Sequence, residues 1–250
     1  YFNQKMYEQA IEYFKKFISS GSSEAQYRKD AYLRLGDSYF VNKKYDEAID
    51  YYNKAIQISG SDSDYAMLQK ALAYGGRGDF TNKADLLKEY LLEFPRSTYK
   101  EEVLYELGIT CILLNRDEEA LNYFRRIPQE FPSGKYIRKS LLKTGLIYYN
   151  DNSNDLAITT LKKVISDYPG SDESREALEI IRNIYVDLNR VNEYLAFAQT
   201  LPFSDISLSS QDSLSYFTAE DRYMKGDCQG AIQGFKGYTQ NFPQGAFLIQ

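Results

Sequence analysis

Small residues return along this chain at a nearly fixed interval. Ala10, Ala48, Ala84, Ala120, Ala157 and Ala231 are separated by 38, 36, 36, 37 and 74 residues. The last interval is two periods of 37, and the skipped slot holds Tyr194. A second series keeps the same time: Pro95, Pro132, Pro169 and Pro243 are separated by 37, 37 and 74. Each Pro closes a similar phrase, Glu93-Phe94-Pro95, Glu130-Phe131-Pro132, Asp167-Tyr168-Pro169 and Asn241-Phe242-Pro243. Two landmark types on one period require a repeated supersecondary unit that buries its apolar face against copies of itself.

Within a period the pattern is helix, short turn, helix. Ala31, Tyr32, Leu35, Tyr39 and Phe40 recur at the three- and four-residue steps of one helix face. A turn follows at Asn42-Lys43-Lys44, and a second helix runs through Tyr45, Ala48, Ile49, Tyr52, Ala55 and Ile56. The same layout recurs near residues 97–130, 134–167 and 171–200. Ser23-Glu24-Ala25-Gln26 and Thr98-Tyr99-Lys100-Glu101 read as capping boxes at helix starts. The Pro series marks helix stops, because Pro lacks the amide an interior position needs. Gly36, Gly108 and Gly145 stand twelve residues before Ala48, Ala120 and Ala157. Gly costs about 1 kcal/mol against Ala inside a helix, so these positions predict close approach, Gly of the first helix facing Ala of the second. Tyr39, Tyr148 and Tyr185 are expected to fill the space between neighbouring repeats, ring buried and hydroxyl paired.

The arrangement resembles the tetratricopeptide repeat family over nearly the whole chain. The residues that carry the resemblance are Leu104, Leu107, Gly108, Ala120, Phe124 and Pro132, and then Leu141, Gly145, Tyr148, Ala157 and Pro169. The period departs from the family's usual length, being nearer 37 than about 34 residues. Cys111 stands in one Tyr slot, and the landmarks Ala84 and Pro95 are one residue out of step. The phrases Phe-Pro-Arg-Ser-Thr-Tyr at 94–99 and Tyr-Pro-Gly-Ser at 168–171 are similar to the periplasmic repeats of the BamD and YbgF subgroup. The Tyr-rich composition without Trp resembles long repeat proteins of the Bacteroidetes cell envelope. The resemblance implies an all-α fold, a right-handed superhelical solenoid of antiparallel helix pairs with a period of about 37 residues. It also implies a location in the periplasm or at the periplasmic face of the outer membrane.

The whole of residues 1–250 then reads as one array. Its parts are the second helix of a partial repeat at 1–20 and repeats at about 24–60, 61–96, 97–133, 134–170 and 171–203. A Ser-rich stretch at 202–213 reads as an irregular loop inside a continuous array, with a hinge between two sub-arrays as the alternative; a repeat follows at about 212–243, and a further helix is expected to start at 244–250. The helical pattern is already running at residue 1 and still running at residue 250, so the sequence reads as a segment truncated at both ends. Uncapped ends of that kind predict self-association.

Chemistry-bearing constellations are few. The chain has no His, the commonest general base and zinc ligand. Cys111 and Cys228 are too far apart in sequence to form a metal motif; Cys111 lies in an apolar stripe and Cys228 in an expected turn. Gly75-Gly76-Arg77-Gly78 falls where other repeats turn and has no strand before it, so it is no phosphate cradle. Asp46-Glu47, Asp117-Glu118-Glu119 and Asp172-Glu173 each open a helix, where the dipole favours negative charge. Net charge is −5, which argues against nucleic acid as a partner. No apolar run approaches the roughly 18 residues that span a bilayer. The expectation is a chain with no catalytic, cofactor or metal site.

What remains is a surface for protein or peptide. In the family the first helix of each pair lines a concave face. Counting from the Gly slots, that face should include Leu33, Asp37, Phe40 and Val41 in one repeat and Glu102, Tyr105, Ile109 and Ile112 in another. It should continue through Leu142, Leu146 and Tyr149, then Glu179, Asn183 and Asp187. Some family members grip a C-terminal carboxylate with Lys and Asn on this face; only Asn183 matches, so no such clamp is expected. Carbohydrate or peptidoglycan binding through exposed Tyr is the alternative to a protein-binding scaffold.

Overall fold

The computed structural model describes residues 6–21, 24–60, 62–204 and 207–248. Among these there are thirteen helices and no strand. The chain divides into two compact units, residues 1–137 and 138–250. The first holds α1 (Tyr7–Ser19), α2 (Ala25–Val41), α3 (Tyr45–Ile56), α4 (Ser63–Gly76), α5 (Phe80–Glu93), α6 (Lys100–Leu113) and α7 (Asp117–Glu130). The second holds α8 (Ile137–Asn150, whose first residue closes unit 1), α9 (Asn154–Asp167), α10 (Asp172–Asp187), α11 (Val191–Ala198), α12 (Leu208–Met224) and α13 (Cys228–Asn241).

Every member of the small-residue series is buried, and so is Tyr194 in the skipped slot. The Gly positions, however, face a different neighbour from the one expected. A Cβ on Gly36 would lie 2.5 Å from the Tyr52 ring, one on Gly145 would lie 2.6 Å from Leu161, and one on Gly108 would strike the Phe124 ring. Each large residue stands one turn beyond the Ala. The missing Cβ makes room for a bulky side chain, while the Ala packs beside it. Tyr39 and Tyr185 are buried as expected; Tyr148 is half-buried. Tyr39 stacks on Tyr51 with ring centroids 5.4 Å apart, and Lys162 reaches the Tyr185 hydroxyl at 3.3 Å.

The turn inside each pair has one repeated solution. Lys43, Gly78, Asn115, Asn152, Asn189 and Gly226 all adopt positive φ, between 56° and 84°. The amide of the following residue then donates back to the carbonyl five residues earlier, as Arg116 does to Cys111 at 2.8 Å and Ser153 to Tyr148 at 2.8 Å. This is a Schellman closure, which satisfies the last carbonyls of the first helix. Gly75 and Gly76 end α4 and Gly78 takes the left-handed slot, so the glycine cluster is indeed a helix stop. The carboxylate groups open α3, α7 and α10 as expected.

First helices also reach forward into the next junction. Lys29 is fully buried, and its Nζ donates to the carbonyls of Ile58 (2.9 Å) and Gly60 (3.2 Å) and to Ser63 Oγ (2.7 Å). Ser97 Oγ donates to Asp64 Oδ2 at 2.6 Å. Glu101 accepts from the amides of Tyr136 (2.7 Å) and Lys135 (3.3 Å). In unit 2, Ala246 N donates to Asp212 Oδ2 at 2.8 Å. Glu101 therefore does not close a capping box with Thr98; α6 has no side-chain cap, and its carboxylate holds the next junction instead. Ser23 of the other expected box lies outside the described residues, and α2 starts uncapped at Ala25.

Three further expectations are corrected. Residues 202–213 are not one irregular loop, because α12 begins at Leu208, capped by Ser207 Oγ on the amide of Ser210 at 3.1 Å. Its inward face is polar: Gln211, Asp212, Ser215 and Thr218 are buried, and Gln211 accepts from Gln199 at 3.0 Å. An apolar period could not reveal such a helix. Residues 243–248 form turns, with 249–250 outside the described residues, and Phe247 stacks on Tyr216 at 4.5 Å. Cys228 opens α13 and is exposed, while Cys111 is buried, which pushes its thiol pKa up.

Candidate functional site

The fourteen positions counted from the Gly slots divide by what their side chains already do. In unit 1, Asp37 accepts from the hydroxyls of Tyr52 (2.9 Å) and Tyr65 (3.0 Å), and burial pushes its carboxyl above the ordinary range. Phe40 packs edge-on to Tyr45 at 5.6 Å, which closes the end of its helix pair. Tyr105 stacks on Tyr136 at 4.8 Å, and Glu102 lies 3.5 Å from Lys135. Val41 is exposed, and Ile109 and Ile112 are half-buried with a free edge.

In unit 2, Leu142 is a core residue at 3% exposure and has no surface to offer, which corrects its place in the face. Leu146 and Tyr149 pack against the same core from its edge. The Tyr149 hydroxyl donates to Asp187 Oδ2 at 2.5 Å, and that bond, followed by burial, pushes its pKa up to about 12. Glu179 pairs with Arg182 at 2.7 Å, and Asn183 is exposed.

Two clefts gather residues on these faces. In unit 1, a cleft of about 290 Å³ is lined by Asp30, Leu33, Arg34, Asp62, Tyr65 and Tyr99. Leu33 forms its apolar floor, Tyr65 and Tyr99 meet at 6.0 Å, and Arg34 sits 3.4 Å from Asp30. In unit 2, a larger cleft of about 740 Å³ lies between α10, α11, the 203–204 turn and α12. Leu178, Tyr194, Phe203, Leu214 and Phe217 supply its apolar walls. Arg175, Glu179, Arg182, Ser204, Ser209, Ser210 and Ser213 supply its polar ones.

The larger cleft exists because one repeat is irregular. The second helix α11 has 8 residues, where α9 and α13 have 14. The missing turns leave space above α10, and the chain crosses it at Phe203 before α12 begins. Of the fourteen positions only Leu33 and Glu179 line either cleft. Tyr65 was missed because the repeat at 61–96 had no Gly slot to count from. Ser209, Ser210 and Ser213 were missed because residues 202–213 read as loop. The left-handed slot would have restored the register, since Asn115, Asn152, Asn189 and Gly226 recur at 37 residues.

Among the described residues no group of three or more Cys, Asp or Glu is placed to hold a metal ion, and no helix is long and apolar enough to cross a membrane.

Helix pairs, closed by contacts between a Gly of one helix and a large side chain of the other, define a helical-repeat protein. Models of the tetratricopeptide repeat match residues 1–20, 30–62, 65–97 and 139–171, and the chain belongs to that family. Among solved structures it is similar to MamA, at 21% identity and a TM-score of 0.55 over 65% of this chain and 90% of that one. It is similar to a tetratricopeptide repeat protein from Parabacteroides merdae ATCC 43184, at 16% identity and a TM-score of 0.53 over 95% and 93% of the two chains. It is also similar to YrrB, described as a TPR protein with an unusual peptide-binding site, at 16% identity and a TM-score of 0.55 over 90% and 99%. These identities show a shared fold. No curated protein matches the chain.

Proposed function

We propose that the protein is a non-catalytic scaffold that holds segments of partner proteins on the faces of its first helices. The observation that carries this reading is the clefts on those faces, each pairing an apolar floor with charged and hydroxyl groups on rigid helices. Apolar anchors ringed by polar groups are the anatomy of a protein-binding hot spot. The similarity to YrrB, whose description names a peptide-binding site, supports the same reading. The phrases at 94–99 and 168–171 and the abundance of Tyr support a place in the cell envelope, at the periplasmic side of the outer membrane.

Self-association belongs to the same proposal. Tyr13, Phe14, Phe17 and Tyr27 line a shallow cleft of about 290 Å³ between α1 and α2. Their counterparts one repeat on include Tyr52 and Ala55, which are fully buried. The α1 side is therefore where another first-type helix would pack. Carbohydrate binding has less to stand on, because only Tyr13, Tyr27 and Tyr223 among the described tyrosines are largely exposed.

The test is affinity capture from the source cell, with envelope and soluble fractions kept apart. The control bait carries Tyr99→Ala in the unit 1 cleft and Phe217→Asp in the unit 2 cleft, with circular dichroism confirming its helices. A protein retained by the wild type and lost by the control is the expected result. Equal retention by both baits would reject the first-helix faces as the binding surface.

A further inference from the structure

The cleft of the irregular repeat has a charge that the rest of the chain does not share. The protein is net −5, yet among the described residues that line the cleft Arg175 and Arg182 stand against the single carboxylate of Glu179. Glu179 is already engaged by Arg182 at 2.7 Å. Arg175 is exposed and has no carboxylate within ion-pair distance among the described residues; its guanidinium lies 5.7 Å from the Phe203 ring centroid. A guanidinium laid on an aromatic face keeps its outer N–H donors free for a carboxylate, which it grips through two parallel hydrogen bonds.

Among the described residues the opposite wall adds donors and no carboxylate. Ser209 and Ser210 lie in the first turn of α12, which contains no acidic residue, so the positive end of its dipole faces no carboxylate in that turn; the Ser210 hydroxyl lies 2.9 Å from that of Ser207. Ser204 Oγ is buried at the cleft without a hydrogen-bond partner among the described residues. An unsatisfied buried hydroxyl is costly and fits a site completed by something that binds there. Below these groups the half-exposed Phe217 and the partly buried Leu214 offer an apolar floor.

We propose that this cleft binds a partner segment in which an aspartate or glutamate is followed by a bulky apolar residue. The carboxylate meets Arg175 and the hydroxyls at the start of α12. The apolar side chain enters beside Phe217 and Leu214. This rests on the scaffold reading and narrows it to one partner chemistry at one place. It also places the specificity in the irregular repeat, where shortening of α11 opened the cleft, and away from the regular repeats.

The experiment uses the full chain and three pools of end-blocked peptides with randomised flanks around a fixed centre: Glu-Phe, Gln-Phe or phosphoserine-Phe. Blocked ends remove any terminal carboxylate from the comparison. Peptides enriched from the Glu-Phe pool are measured by fluorescence anisotropy. Arg175→Glu should weaken them by about tenfold or more, as expected for loss of a charge-assisted pair. Ser210→Trp, which fills the cleft from an exposed position, should weaken them similarly. The same peptide with Lys in place of Glu should regain affinity for Arg175→Glu, a readout that unfolding cannot mimic. No binder from the Glu-Phe pool would overturn the proposal. So would binding indifferent to both substitutions, equal binding by the Gln-Phe pool, or binding confined to the phosphoserine pool. If capture by the first-helix faces persists in any of those cases, the scaffold reading stands and only the acidic-apolar specificity falls.

Discussion

Asp37 occupies a first-helix position beside the unit 1 cleft, yet tyrosines from inside the fold hold its carboxylate. Burial raises its pKa, and the hydrogen bonds from Tyr52 and Tyr65 oppose that rise without cancelling it. A carboxyl with a raised folded pKa binds its proton more tightly in the folded state than in the unfolded one. Its contribution to stability is most favourable below the ordinary aspartate value and declines as pH rises through the raised value. Asp37→Asn keeps an acceptor oxygen for both hydroxyls and removes the charge. It should equal or exceed the wild type in stability near pH 7, by up to about 1 kcal/mol, and lose that advantage below about pH 4. Urea titrations across that range check this; a variant weaker at every pH would mean that Arg34 makes the charge favourable. The same residue shows what a count along the chain can miss. The count from the Gly slot put Asp37, Tyr149 and Leu142 on one face of the first helices. It could not say that Tyr149 would bind Asp187, 38 residues away, or that Leu142 would be turned into the core.

Among elements, the helix pair depends on a hole in one helix and a ring in the other. At α6 and α7 the hole is Gly108 and the ring is Phe124, which is almost fully buried. Gly108→Ala improves helix propensity by about 1 kcal/mol but drives a methyl group into that ring. The steric term should win, because overpacking a tight core costs about 1–3 kcal/mol and the ring has no free space to enter. The expected outcome is a lower thermal midpoint for Gly108→Ala, partly restored when Phe124→Leu shortens the ring. An unchanged or raised midpoint would show that the pair can separate cheaply. The existence of such pairs was legible in the sequence, since the Gly-to-large spacing repeats at Gly36 with Tyr52 and Gly145 with Leu161. The facing partner was misassigned to Ala because spacing gives a period, and the rotation of one helix on another is set by packing. The same limit hid α12: a helix whose inward side is Gln211, Asp212, Ser215 and Thr218 leaves no apolar rhythm to follow.

For the whole molecule, charge selects the class of partner and its distribution selects the place. An excess of five negative charges gives phosphate backbones no long-range attraction. The purified protein should not retard duplex DNA in a gel at physiological salt, and a retarded band that disappears as salt is raised would contradict this. Within each unit the clefts differ in sign: Asp30 and Asp62 flank Arg34 in one, while Arg175 and Arg182 flank Glu179 in the other. By itself the sequence determined the helix-pair repeat, its burial of small residues, and membership in the tetratricopeptide repeat family. Those follow from local periodicity, which every copy of the repeat states again. Only the tertiary structure decided where the clefts lie, and the larger one depends on a departure from the period. The shortened α11 opens that cleft and α12 walls it. A period predicts what repeats share, and the larger cleft forms where the packing makes them differ.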